Sequence, residues 1–455
     1  MNMMSSFVEN KIAATNTQQR AAIESVVEGW EGKDDDFILP IIEGPPGTGK
    51  TTVGVYAASL YLLTEKKAQI AYLAYTNFAA DKAHEDLIYK MCLNPHEVVR
   101  LTRPGIRDWN KGRIGCKSDL SDLLDNDKRR LSEAKILVST LSSSNKIFNI
   151  FKHPLIIIDE FSQVSPPMFF SMLSNVSTSI YNPSGYALLG DPNQLPVITS
   201  QDLLRSNIGL YIIARKPYDS HKLQIQYRMH ENVCDVVNGL RQALNTYPLI
   251  SDEDIKKRTL SSYGYKWNID ATPDDFNDIL DPKNPVILIN TDSLPNYEQL
   301  GFGNSTYYSE EAVLTARLAS IFKKSYLDID GKHLIPQILT PYKAQLGEIK
   351  SKLEDPSLKN SCATIYRSQG REYPCVIISF ARKNEIGKIG ILKDFEMIAQ
   401  TYVGCSRAQA KLVLLFSFDT FLGHGYRDFE FMKDRCDHSA VIVDSAPAEW
   451  GIPDD

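Results

Sequence analysis

The sequence predicts an α/β protein of two domains, each built around a parallel sheet. Three observations point there. Short apolar runs recur along the chain with helix-length segments between them, the pattern of strands covered on both faces. Run after run ends on a small polar or charged group, where open sheets of this kind bind ligands. One such end is Gly44-Pro45-Pro46-Gly47-Thr48-Gly49-Lys50-Thr51, with Thr52 beside it. The glycines of such a loop let backbone N–H groups approach phosphate oxygens.

In chain order, Pro40 marks the start of the first strand, Ile41-Ile42, because proline is tolerated at a strand's first residue. A helix is expected from Thr51 to about Leu63, its positive dipole end aimed at the phosphates. Ile70–Ala74 then leads to Thr76-Asn77, Ile136–Val138 to Ser139-Thr140, Leu155–Ile158 to Asp159-Glu160, and Ala187–Leu189 to Gly190-Asp191. The second half repeats the style with Val286–Ile289, Ile335–Leu339, Ala363–Ile365, Val376–Ser379 and Leu412–Phe416, and with a helix over Glu310–Lys323. A division near Ser220 gives domains 1–220 and 221–455, with irregular inserts at about 95–132 and 240–304. The second insert carries Tyr247, Tyr263, Tyr265 and Trp267, either a small core or a stacking surface for bases. One phosphate loop for two domains implies one nucleotide site, completed across the cleft.

The totals exclude several classes. No window approaches a membrane-spanning length of uninterrupted apolar residues. The opening Met1-Asn2-Met3-Met4 lacks a basic region followed by an apolar core, so no secretory leader is expected. The seven cysteines are scattered without a Cys-x-x-Cys, which points to reduced thiols in the cytosol or nucleus and to no zinc module. A net charge of −6 leaves nucleic acid open, since a groove needs only local positive potential. The basic run from Arg100 to Lys117 is either a solvated loop or the lining of a groove's entry or exit.

Lys50 is suited to the β and γ phosphates, and the Thr51 hydroxyl to Mg²⁺. Asp159 and Glu160 follow a strand, where one carboxylate can hold Mg²⁺ and the other can orient and deprotonate an attacking water. Gln194, in Gly190-Asp191-Pro192-Asn193-Gln194-Leu195-Pro196, is placed to contact the γ-phosphate or that water. Charge on the γ oxygens calls for guanidinium groups. Arg228, in Gln226-Tyr227-Arg228-Met229-His230, and Arg407, in Ser406-Arg407-Ala408, are the candidates.

These motifs in this order resemble a superfamily 1 helicase, most similar to the branch with the nonsense-mediated-decay helicase, senataxin and the nidovirus helicases. The matches run from Gln19 to about Phe416 and include Thr340-Pro341-Tyr342-Lys343-Ala344-Gln345 and Ser368-Gln369-Gly370-Arg371-Glu372. The resemblance implies two RecA-like domains and ATP hydrolysis, with Mg²⁺, coupled to 5′→3′ movement on single-stranded RNA or DNA. By the same resemblance Gln19 reads the adenine edge, Tyr227 stacks on the base, Glu372 reaches the ribose, and Gly370 belongs to the nucleotide site. Thr76, Asn77, Ser139, Thr140, Thr340, Pro341 and Thr364 would line the strand groove, where hydroxyl and amide groups suit backbone contacts without base choice. Tyr366, Tyr402 and Tyr308 depart from the family pattern, and only 18 residues precede Gln19, where relatives carry a stalk-like domain. Three functions stay open: a helicase, a nucleic-acid-stimulated clamp or remodeller, and another phosphate-loop enzyme such as a small-molecule kinase.

Overall fold

The computed structural model describes residues 3–28, 39–65, 67–103, 106–115, 123–177, 185–195, 208–213, 220–390 and 394–451. Cys116, Lys117 and Pro196 lie outside these residues. The chain forms two compact units, Met1–Gln224 and Ile225–Asp455.

In the first unit, the strands β1 (Ile41–Glu43), β2 (Ile70–Ala74), β3 (Val98–Thr102), β4 (Arg107–Asp108), β5 (Arg113–Gly115), β6 (Ile136–Thr140), β7 (Leu155–Asp159), β8 (Gly185–Gly190) and β9 (His221–Lys222) form one sheet. Their order is β4-β5-β3-β6-β2-β7-β8-β1-β9, and every pairing is parallel except β4 with β5. The apolar runs explain the burial. Side chains alternate between sheet faces with a period of two, so Ile70, Tyr72 and Ala74 enter one core while Ala71 and Leu73 enter the other. The first core is closed by helices α1 (Met3–Ala13), α2 (Thr17–Glu28) and α3 (Lys50–Thr64), which bring in Val8, Ile23 and Val53. Phe148, Phe161 and Phe169 help to close the second. Each such large apolar side chain stabilises the fold by roughly 1.5–3 kcal/mol.

Two expectations move in detail. Ser139, Thr140 and Asp159 belong to their strands rather than following them. Val98–Thr102, read as part of an irregular insert, pairs in parallel with β6. Its Arg100 is 1% exposed, with Nε 2.9 Å from Asp81 Oδ1 and Nη2 donating to Asn77 Oδ1 at 3.0 Å. Arg113 is paired with Glu85 at 2.9 Å. Neither arginine belongs to a solvated loop.

The second unit holds a six-stranded parallel sheet of β10 (Val286–Asn290), β11 (Gln337–Thr340), β12 (Cys362–Thr364), β13 (Tyr373–Ser379), β14 (Ala408–Phe416) and β15 (Val441–Val443). The order is β12-β11-β13-β14-β10-β15. Phe380, Phe416, Phe421 and Phe429 pack edge-on or tilted in its core. Tyr247, Tyr263, Tyr265 and Trp267 are half-buried: the Arg241 guanidinium lies 4.6 Å over Tyr247, and the Trp267 indole donates to Thr272 Oγ1 at 3.0 Å. The α/β class with two parallel sheets matches the expectation. Among the described residues, no helix is long and apolar enough to cross a membrane.

Candidate active site

The phosphate loop begins where β1 ends. Gly44 N donates to Gly190 O at 2.8 Å, tying the loop to the end of β8. A side chain at 44 would run into the methylenes of Lys50, so glycine here lets the lysine fold back over the loop. Gly47 and Gly49 have φ of 83° and 84°, the left-handed region that glycine enters without strain. Thr48 Oγ1 donates to Pro45 O at 2.7 Å and closes the turn. Helix α3 then starts at Lys50 with no side-chain cap, leaving first-turn N–H groups for an anion. Lys50, Thr48, Pro45 and Pro46 are buried, while Thr51 and Thr52 are half-buried.

Gln19 sits against this loop rather than apart from it. Its Nε2 donates to Thr48 O at 2.9 Å, and its backbone N–H donates to Asn16 Oδ1 at 2.9 Å. Here the side chain braces the phosphate loop.

Three of the predicted groups meet at the end of β7. Asp159 is 1% exposed, and its Oδ2 accepts from Thr51 Oγ1 at 2.9 Å and from the Tyr72 hydroxyl at 3.0 Å. Its Oδ1 accepts from Glu160 N at 2.9 Å. Burial pushes the Asp159 carboxyl up to about 6 and the neighbouring Glu160 adds to this, while Lys50 and the two hydroxyl donors oppose it. The donor set around Thr51 and Asp159 is all oxygen, which fits Mg²⁺. Glu160 has φ of 61°, a left-handed conformation that a β-carbon disfavours and that clusters at functional sites. Its Oε2 is buried and makes no protein hydrogen bond among the described residues.

Gln194 is buried, with Nε2 3.5 Å from Asp191 Oδ2, and the turn is set by Asn193 N donating to Asp191 Oδ1 at 3.0 Å. Phe161 packs against Gly190 at the end of β8 and against Gly209, and a β-carbon on either glycine would collide with the ring. Tyr72 and Phe161 carry no signal of such a role in the sequence, since an aromatic beside an apolar run reads as core.

The second unit gathers its own candidates. Arg228 Nε lies 2.7 Å from Glu372 Oε2, and its Nη1 donates to Ser406 O at 3.1 Å. Arg407 is 2% exposed, donating from Nε to Val403 O at 2.9 Å, from Nη1 to Arg371 O at 3.0 Å and from Nη2 to Ser406 Oγ at 3.0 Å. Ser406 therefore joins the two arginines, a link that no spacing in the sequence announces. Tyr227 is exposed at the same turn, and Gly370 has φ of 80°.

The groove candidates divide by exposure. Thr76 is exposed and caps α4 (Asn77–Glu85), its Oγ1 accepting from Ala79 N at 3.1 Å. Thr140 and Thr364 are half-buried, as is Asn77, whose amide oxygen is held by Arg100. Ser139, Thr340 and Pro341 are buried. The Ser139 hydroxyl faces Thr140 O, and Thr340 Oγ1 accepts from Tyr342 N.

Two family models, each described as an AAA domain, match residues 37–200 and 205–418. The DNA replication ATP-dependent helicase/nuclease DNA2 of Mus musculus is 25% identical over 436 residues, covering 90% of this chain and 38% of the relative. The protein of that name in Schizosaccharomyces pombe is 28% identical over 394 residues, covering 84% of this chain and 26% of the relative. This chain thus spans about a third of the length of these curated relatives. A solved complex of Arterivirus nonstructural protein 10, a helicase, with DNA aligns with 88% of this chain and 64% of its own at 15% identity and a TM-score of 0.41. On its ordered motifs, the two domain models and the DNA2 relatives, the chain belongs to the superfamily 1 helicases, in the branch that holds the DNA2-like proteins.

Proposed function

We propose that this protein is an ATP-driven motor that moves 5′→3′ along single-stranded nucleic acid and separates duplexes as it goes. The single observation that carries the reading is Glu160: a non-glycine residue held in the left-handed region, one buried carboxylate oxygen without a hydrogen bond among the described residues, directly after the Asp159 that engages Thr51. A fold holds such a residue against strain only where the surrounding structure over-determines it. The free oxygen supports a role in accepting a proton from water.

Lys50, Gly44 to Gly49 and the first turn of α3 hold the triphosphate, and Thr51 and Asp159 hold Mg²⁺. The ion, when bound, neutralises charge on the β and γ phosphates. Glu160 orients the attacking water and takes its proton as the oxygen bonds to the γ-phosphorus, while the bridging β–γ P–O bond breaks to leave ADP. Gln194 orients the same water. Arg228 and Arg407 neutralise the developing charge, which requires Arg228 to leave Glu372 and Arg407 to leave its carbonyl partners. Tyr227 stacks on the base, Gly370 and Glu372 serve the ribose, and Gln19 supports the loop that the adenine approaches. Thr76, Asn77, Thr140 and Thr364 are the groove residues with surface to offer; Ser139, Thr340 and Pro341 shape the groove from beneath.

The names of the relatives favour DNA as the strand. Steady-state ATP hydrolysis measured with matched single-stranded DNA and RNA, then displacement of a tailed duplex, tests the proposal. Strand-stimulated turnover with steady displacement beyond one binding site is the expected result. Stimulation without displacement would favour the clamp or remodeller, and no stimulation at low salt would favour a different phosphate-loop enzyme.

A further inference from the structure

We infer that Tyr72 is a positioning residue for the metal-binding carboxylate, and that its hydroxyl sets how tightly this protein holds Mg²⁺. The inference rests on the ATPase reading of the site. Tyr72 is the middle residue of β2, fully buried between apolar neighbours. An aliphatic side chain would satisfy that position as well, and a phenol brings a polar atom into the core that needs a partner. The partner is Asp159: the hydroxyl donates to Oδ2 at 3.0 Å, on the same oxygen that Thr51 reaches at 2.9 Å.

Room for the hydroxyl comes from α3. Gly54 lies in the interior of that helix, where glycine costs about 1 kcal/mol relative to alanine. A β-carbon there would stand 2.8 Å from the Tyr72 hydroxyl oxygen and 3.1 Å from Leu189 Cδ2. Gly54 and Tyr72 are thus one device on two elements, leaving space for a donor to the carboxylate from below the phosphate loop. When Thr51 turns its hydroxyl oxygen to the ion, Tyr72 and the Glu160 N–H remain to fix the orientation of Asp159. Groups that orient a ligating carboxylate from behind change metal affinity by about 10–100-fold when removed.

The test is Tyr72→Phe, which keeps the ring and removes the donor. Binding of a fluorescent ADP analogue is titrated with Mg²⁺, alongside turnover as a function of Mg²⁺. The Mg²⁺ midpoint is expected to rise about tenfold, with kcat at saturating Mg²⁺ and metal-free nucleotide binding little changed. Gly54→Ala should move the midpoint the same way by crowding the hydroxyl, and should add little in the Tyr72→Phe background. A midpoint within twofold of wild type in both single variants would overturn the inference. Wild-type protein that shows no Mg²⁺-dependent nucleotide binding would instead sink the ATPase reading itself.

Discussion

Gly190→Ala probes how the fold holds Glu160, the proposed catalytic base, in place. The new β-carbon would lie 2.6 Å from Phe161 Cδ1 and 2.9 Å from the Phe161 backbone nitrogen. That is about 0.8 Å inside ordinary contact with the ring. The ring has little freedom to yield, because Phe161 is fully buried and its far edge already abuts Gly209. Relief must come from the Phe161 backbone, which is joined directly to Glu160. Overpacking of this kind costs about 1–3 kcal/mol, which lowers the melting temperature by roughly 2–4 °C per kcal/mol in a unit of this size. A shift of Glu160 approaching 1 Å costs on the order of 10² in rate. Thermal unfolding and strand-stimulated turnover, measured on the same preparation, separate the two effects. Wild-type kcat in a destabilised variant would refute the claim that Phe161 transmits the strain to Glu160.

Two further outcomes follow from the second unit. Glu311 is fully buried, and desolvation raises its carboxyl to about 7 despite donors from Ser379 Oγ at 2.6 Å and Ala381 N at 2.8 Å. The folded protein therefore keeps a proton that the unfolded chain releases at ordinary carboxylate pH, so stability falls as pH rises from about 4.5 to about 7. Glu311→Gln should flatten this fall and gain on the order of 3 kcal/mol at pH 8, read by denaturant unfolding; an unchanged pH profile rules out a raised pKa. Arg228→Lys should lower turnover by on the order of 10³ while unfolding shifts by less than about 1 kcal/mol, since Glu372 in the lost pair is 46% exposed. Turnover within tenfold of wild type would remove Arg228 from the charge-neutralising role.

Much of this fold was legible because buried parallel strands need near-continuous apolar runs, and Ile70–Ala74 and Leu155–Ile158 supply them. Val98–Thr102 was hidden by Arg100, a charge in a strand whose partner, Asp81, lies on a separate helix. The first residues of Ala408–Phe416 were hidden by Lys411, which is buried and donates to the carbonyls of Asp281 and Asn284. In the site, the phosphate loop and the Asp159-Glu160 pair were readable because the chemistry dictates residue types at short spacing. Tyr72, Gly54 and Phe161 were not, because their roles depend on which elements the sheet order brings together.

The central claim is that Glu160 is the base of an ATP-hydrolysing motor, and Glu160→Gln tests it most directly. Turnover in the presence of a single strand should fall by about 10²–10⁴, with ATP binding and strand binding retained at wild-type affinity. Turnover at the wild-type rate in that variant would contradict the account.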